Sequence, residues 1–199
     1  MAPKRSHSSL SRVSRDLNCV EEWVISVSNK AALNQLVVDG VLLDRAMVGW
    51  HPAHDESFPT PRSDELVVFE DYFYHGFCIL IHPFLYGLIE YYAISLCNLG
   101  PSSILHIFVF IHFCEAYLGI LPHFDLFHHF FCLKSRGVSR SRVVGSAYLQ
   151  LLDGMVGQYI TTPLNTNMKY WAQRWFYMPQ GEHYVACNID QIPMSSARW

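Results

Sequence analysis

The apolar segment PHFDLFHHFFCL at positions 122–133 holds five residues of metal-ligand type. Four of them follow His123: Asp125, His128, His129 and Cys132. On a helix, at about 100° per residue, all four would lie on one face. Carboxylate, imidazole and thiolate are ligands that suit zinc. One helix face seldom completes a tetrahedral shell, so His112 or Cys114 would have to contribute. We therefore favour a solvated or hydrogen-bonded face, and we expect neither a metal site nor a cofactor.

A second group of residues could bind nucleic acid. The loop KSRGVSRSR carries four cations that match phosphate oxygens: Lys134, Arg136, Arg140 and Arg142. Trp171 and Trp175 belong to an aromatic cluster at 171–177 that could stack on bases. The alternative is a solvated loop beside a packed aromatic mini-core. A net charge of −3 gives no overall electrostatic support for nucleic-acid binding, so any such support must be local.

Carboxylates could instead converge on divalent metals for phosphoryl transfer. The candidates are Asp71, Glu90, Glu115, Asp125 and Asp153, and their spacing matches no nuclease signature. Glu90 and Glu115 lie in apolar stretches, where a buried carboxylate must be paired, protonated or metal-bound. A structural hydrogen bond is the favoured interpretation for both. Motifs of reverse transcriptases, aspartic proteases and P-loop ATPases are absent, so we do not expect an enzyme.

The sequence also predicts the helices and strands that would position these residues, beginning with those of the N-terminal half. Residues 1–17 are basic and serine-rich, which is typical of a disordered tail. One or two short helices follow within 19–42, and Asp39-Gly40 is expected to end them. A proline-rich loop then leads to Ser63, which could cap a helix over DELVVFEDYFYH at 64–75. Acidic residues at 64 and 65 would lie in the first turn of that helix.

Three further helices are predicted in the apolar centre of the chain. Pro83 would begin the first, which continues to about Leu99. Ser102 would cap the second, at 103–118, and Gly119 would terminate it. The third would run from Pro122 to about Leu133. Residues 104–121 are apolar enough to raise the question of a membrane span, but their ionisable residues favour a buried core helix. We therefore expect no membrane association.

The residue composition changes after Leu133, where β-branched and aromatic residues become frequent. The β-branched and aromatic runs around Asp153-Gly154 predict a hairpin. The cluster at 171–177 adds a short helix or strand. We therefore predict an α+β fold, in which a mainly helical single domain at 18–178 carries a small C-terminal antiparallel β element. An irregular tail is expected at 179–199.

Several motifs together resemble one known family. They are V-V-F, then H-P-F, L-x-P-x-S-I-L, C-E-A-Y-L-G-I-x-P-H-F and F-F-C-L-K, with similar stretches upstream and downstream between about residues 36 and 178. This pattern resembles the putative gypsy-type transposon domain, also called a transposase domain, of plant transposable-element proteins. The resemblance implies no catalytic residues, because none can be carried over from that family.

Two functions follow as expectations. The first is a structural or protein-interaction module that assembles with itself or with other element-encoded proteins. The second is a nucleic-acid-binding module for DNA or RNA that uses residues 134–142 and 171–177. Six scattered cysteines without a C-x-x-C pair indicate a reducing environment, so we expect an intracellular protein of the nucleus or cytoplasm.

Overall fold

The structure is a computed structural model that describes residues 23–78, 81–135, 144–155, 157, 159 and 168–180. The helices it describes are α1 (Lys30–Val38), α2 (Arg45–Val48), α3 (Glu70–Tyr74), α4 (Pro83–Tyr91), α5 (Pro101–His112) and α6 (Phe124–Phe130). The strands are β1 (His51–Pro52), β2 (Glu65–Phe69), β3 (Phe131–Ser135), β4 (Ala147–Leu151) and β5 (Trp175–Pro179). Most of both predicted tails therefore lies outside the described residues.

Two small antiparallel sheets accompany the helices. The first has the order β1-β5-β2, and Val67 of β2 lies opposite Tyr177 of β5. The second pairs β3 with β4, with Leu133 opposite Leu149. Aromatic side chains favour strands that are buried on both faces, which explains why WFYMP forms the central strand. The predicted α+β class is confirmed, although the C-terminal strand β5 pairs with strands from the N-terminal half.

The predicted helix at 64–75 is wrong in its first half. Glu65–Phe69 forms β2, and only Glu70–Tyr74 is helical. The run Leu-Val-Val-Phe is β-branched and apolar, so pairing with β5 overrides any helical tendency. Gly76 follows the helix with a φ of +90°, which agrees with the predicted end.

The helix α4 begins at Pro83 as predicted but ends at Tyr91, and a 3₁₀ turn at Leu96–Asn98 follows. Helix α5 begins at Pro101, with Gly100 rather than Ser102 as its N-cap. It passes directly into a π-helical turn, Phe113–Leu118. The predicted end at Gly119 is confirmed, because this residue takes the left-handed conformation with a φ of +63°.

The C-terminal part of the predicted third helix is also corrected. Helix α6 ends at Phe130, and the chain continues as the strand β3. The second run of the predicted hairpin around Asp153-Gly154 lies largely outside the described residues, whereas the first run forms β4 and pairs with the preceding strand β3. The Asp-Gly pair indicates a turn, but it does not indicate which strand pairs with β4.

Phenylalanine rings join the three central helices. Phe84 of α4 lies 5.3 Å from Phe110 of α5 and 5.4 Å from Phe127 of α6, measured between ring centroids. Among the described residues, Pro101–Leu118 is long and apolar enough to cross a membrane by length and composition. A core helix passes the same test. Ile104 and Ile107 on its inner side are fully buried in the core.

Candidate functional site

The first polar cluster lies where β2 passes into α3. Glu70 and Asp71 occupy the first turn of α3, where the helix dipole favours acidic residues. The backbone N–H of Glu70 donates to the carbonyl oxygen of Arg174 at 2.9 Å, which fixes the cluster beside β5. Both acidic residues are more than nine-tenths buried, at 7% and 8% exposure. Buried carboxylates of this kind require partners or a proton.

The guanidinium of this cluster is hydrogen-bonded to one of its two carboxylates. Arg174 donates from Nη2 to Oδ1 of Asp71 at 2.7 Å. Within the part of the chain that the structure describes, four buried atoms of the cluster have no hydrogen-bond partner: Glu70 Oε1, Asp71 Oδ2, Arg174 Nε and Ser28 Oγ. Burial raises the pKa of Glu70, and the Ser28 hydroxyl and Arg174 only partly oppose this. Burial also raises the pKa of Asp71 against the opposing charge of Arg174.

The two glutamates that the sequence marked as buried are at the surface. Glu90 is exposed. The side chain of Glu115 is 45% exposed, and its Oε1 lies 3.0 Å from Nε2 of His82. Both residues point out of their apolar helices, so the expectation of burial is corrected. By whole-residue exposure, Glu70 and Asp71 are the buried acidic residues of the described ranges, and only Asp71 was among the candidates.

Histidine side chains cap two of the helices in the motif region. His82 Nδ1 accepts from the backbone N–H of Phe84 at 3.1 Å, at the start of α4. His123 Nδ1 accepts from the N–H of Leu126 at 3.3 Å, at the start of α6. Each bond satisfies a helix N–H that would otherwise lack a partner. The H-P-F and P-H-F motifs therefore have a structural role as helix starts.

The four weak metal candidates are not brought together. His128 is half-buried, and its Nε2 lies 2.9 Å from the hydroxyl of Tyr92. Burial lowers the pKa of His128, which favours the neutral ring. Asp125 and His129 are exposed, and Cys132 lies beyond the helix on β3. Across the described ranges, no group of three or more histidine, cysteine, aspartate or glutamate residues is arranged to hold a metal ion.

The predicted nucleic-acid site is only partly described. Lys134 is exposed near the end of β3, whereas Arg136, Arg140 and Arg142 lie outside the described residues. Trp175 is fully buried, and its Nε1 donates to the carbonyl oxygen of Val24 at 2.8 Å. In this conformation it presents no free face to a base.

Trp171 is half-buried and packs against other aromatic rings. Its ring centroid lies 4.9 Å from that of Phe69, in an edge-to-face arrangement, and 6.2 Å from that of Tyr72. The aromatic cluster therefore matches the packed mini-core that the sequence left open as the alternative.

An exposed apolar segment follows α5, at residues 117–121, and is called the apolar tip below. Four of its five residues have large, exposed side chains: Tyr117 by 75%, Leu118 by 46%, Ile120 by 41% and Leu121 by 71%. The π-helical turn and the left-handed Gly119 turn this segment away from the core. Contiguous exposed apolar residues of this kind are typical of interaction sites. Sequence reasoning missed the tip because its pattern continues that of a core helix.

Comparison with known proteins identifies the central part of the chain. Residues 67–135 match a family described as putative gypsy type transposon. The match covers about a third of the 199 residues, runs from β2 to the end of β3, and includes both histidine caps and the apolar tip. No curated protein and no solved structure matches the chain. The expected resemblance is confirmed for this region, and it supports a transposon-derived origin.

Proposed function

We propose that this transposon-derived chain is a non-catalytic interaction module that associates with itself through the apolar tip. The observation that carries the proposal is the exposure of Tyr117 and Leu121, two large side chains within the family-matched region. Leaving such side chains in water costs free energy that a partner surface would recover. The candidate carboxylates Glu90, Glu115 and Asp71 do not compete with this role, because the first two are exposed at the surface and Asp71 is paired with Arg174.

Light scattering coupled to size-exclusion chromatography tests this proposal. We expect the mass of the wild-type chain to rise above 23.0 kDa as its concentration increases. The double variant Tyr117→Ser, Leu121→Ser should remain at the monomer mass, because the apolar area that drives association is removed. Val38→Ser is the matched control, since Val38 is also exposed, by 78%, but lies on α1. A wild-type mass of 23.0 kDa at every concentration would contradict self-association.

Nucleic-acid binding through the basic loop is the alternative. Its support is weaker, because Trp175 is buried and Trp171 is packed, so that phosphate contacts would have to supply the affinity. The discriminating measurement is retention on DNA and on RNA at low salt. If this alternative holds, Arg136→Ala, Arg140→Ala, Arg142→Ala should abolish retention and the wild-type affinity should fall steeply with salt. Retention that is absent, or unchanged in the triple variant, would exclude it.

A further inference from the structure

An extended N-terminal segment, residues 23–28, lies across β5 and is called the strap below. The Ser26 hydroxyl donates to the carbonyl oxygen of Trp175 at 2.6 Å. The backbone N–H of Val27 donates to the carbonyl oxygen of Gln173 at 2.8 Å, and the indole of Trp175 donates to Val24. The strap is thus attached to the residues on both sides of Arg174.

The burial pattern of the strap is the reverse of that of an ordinary strand. Ser26 and Ser28 are fully buried, whereas Val24, Ile25 and Val27 are exposed by 46%, 55% and 44%. Hydrogen bonds from its polar side therefore contribute more to its attachment than burial of these three apolar side chains does. Because the net free energy of one such hydrogen bond is small, about 0.5–1.5 kcal/mol, the strap is sensitive to the polar groups beneath it.

The strap also lies beside a buried carboxyl group, that of Glu70, which interacts with Ser28. The Ser28 hydroxyl lies near enough to the Glu70 carboxyl group to oppose the rise in its pKa, although Ser28 Oγ and Glu70 Oε1 make no hydrogen bond of ordinary geometry within the described structure. The charged and titratable groups that interact with Glu70 are Asp71, Arg174 and Tyr74. Since Arg174 is already paired with Asp71, the cluster contains one carboxylate more than its cation neutralises.

We propose that the strap is a proton-dependent switch, held in place while Glu70 is protonated and released when Glu70 ionises. A neutral Glu70 adds no charge to this buried position and can share a hydrogen bond with Ser28. An ionised Glu70 would be a second buried anion beside Asp71, and lifting the strap would admit water to it. Release would also uncover the aromatic rings on which Trp23 packs, including Phe69 at 6.2 Å.

The raised pKa of Glu70 sets the direction of the pH dependence. A carboxyl group whose pKa is higher in the closed state than in the open state stabilises the closed state at low pH. That stabilisation is complete below the ordinary value of 4.5 and is lost as the pH rises through the raised value. Between the ordinary value of 4.5 and the raised value, the equilibrium constant for opening should grow up to about tenfold per pH unit, and above the raised value it should level off.

Hydrogen exchange of the full-length protein tests the switch, with rates corrected for the intrinsic effect of pH. We expect the amides of Ser26 and Val27 to lose protection as the pH rises from about 5 to about 8, while amides of the α5 core keep theirs. In Glu70→Gln the strap should remain protected across this range. The matched control Glu90→Gln, at an exposed glutamate, should behave as the wild type.

Two outcomes would overturn the proposal: strap protection in the wild type that does not change with pH, or Glu70→Gln that loses protection as the wild type does. Infrared spectroscopy of the wild type gives an independent measurement that needs no variant. It should show the carbonyl stretch of a protonated carboxyl group that disappears over the same pH range as strap protection. A stretch that is absent, or that disappears over a different range, would count against the switch.

Discussion

Replacing Phe84 with alanine should lower the free energy of unfolding by about 3–5 kcal/mol. Phe84 is almost fully buried, and its ring contacts Phe110, Phe124 and Phe127 at centroid separations of 5.3–5.4 Å. These contacts join α4 to α5 and α6. The substitution removes a large apolar side chain and leaves a cavity that three separate helices would have to move to fill. Urea denaturation followed by circular dichroism measures the change.

Phe58→Ala is the control of the same residue type. Phe58 is 50% exposed and packs edge-to-face on Trp23, so that its removal creates no enclosed cavity. We expect it to cost about 1 kcal/mol. Equal losses in the two variants would show that the contact between α4 and the other two helices does not contribute specially to stability.

Gly145→Ala should lower the free energy of unfolding by about 2–4 kcal/mol through two additive causes. Gly145 has a φ of +66°, which is unfavourable for any residue with a Cβ atom. An added Cβ would also lie 2.7 Å from Cζ2 of Trp171, closer than carbon atoms can approach. Trp171 cannot simply move aside, because Phe69 and Tyr72 pack against it. Thermal and urea denaturation would both report the loss.

Gly154→Ala separates these two causes. Gly154 has a φ of +91°, but apart from its chain neighbours no heavy atom of the described residues lies within 4 Å of the position of its added Cβ. It should therefore show only the conformational cost of about 1–2 kcal/mol. A smaller side chain at position 171, as in Trp171→Leu, should make the additional Gly145→Ala substitution less costly. If Gly145→Ala is no more harmful than Gly154→Ala, the steric explanation fails.

Features with local causes could be predicted from the sequence. Pro83 at a helix start, Gly119 at a helix end and Asp39-Gly40 after α1 all occur where their backbone preferences place them. The strand β2 could not be predicted in this way. Its residues carry no strict alternation of apolar and polar side chains, and its partner β5 lies more than a hundred residues further along the chain. Pairing over that distance leaves no local signal.

Local sequence also could not predict which candidate side chains would be buried and which would be exposed. The sequence marks Glu90 as unusual because its neighbours are apolar, but the fold places its side chain in solvent. Glu70 has ordinary neighbours, yet it is buried in the fold, where its backbone N–H donates to the carbonyl oxygen of the distant Arg174. The residues of the apolar tip are as hydrophobic as those of α5. The π-helical turn is what separates exposed Tyr117 from the core, and the amino-acid composition does not predict that turn.

The central position of β5 has a consequence for synthesis of the chain. β1 and β2 leave the ribosome first, yet neither is hydrogen-bonded to the other, and both require β5. Until residues 175–179 emerge, the nascent chain must carry Val68 and Phe69 without the strand that covers them. Such unpaired apolar strands are prone to aggregate, and closing so long a loop is slow. Completion of this sheet therefore waits for β5, and chains terminated before β5 should depend on chaperones.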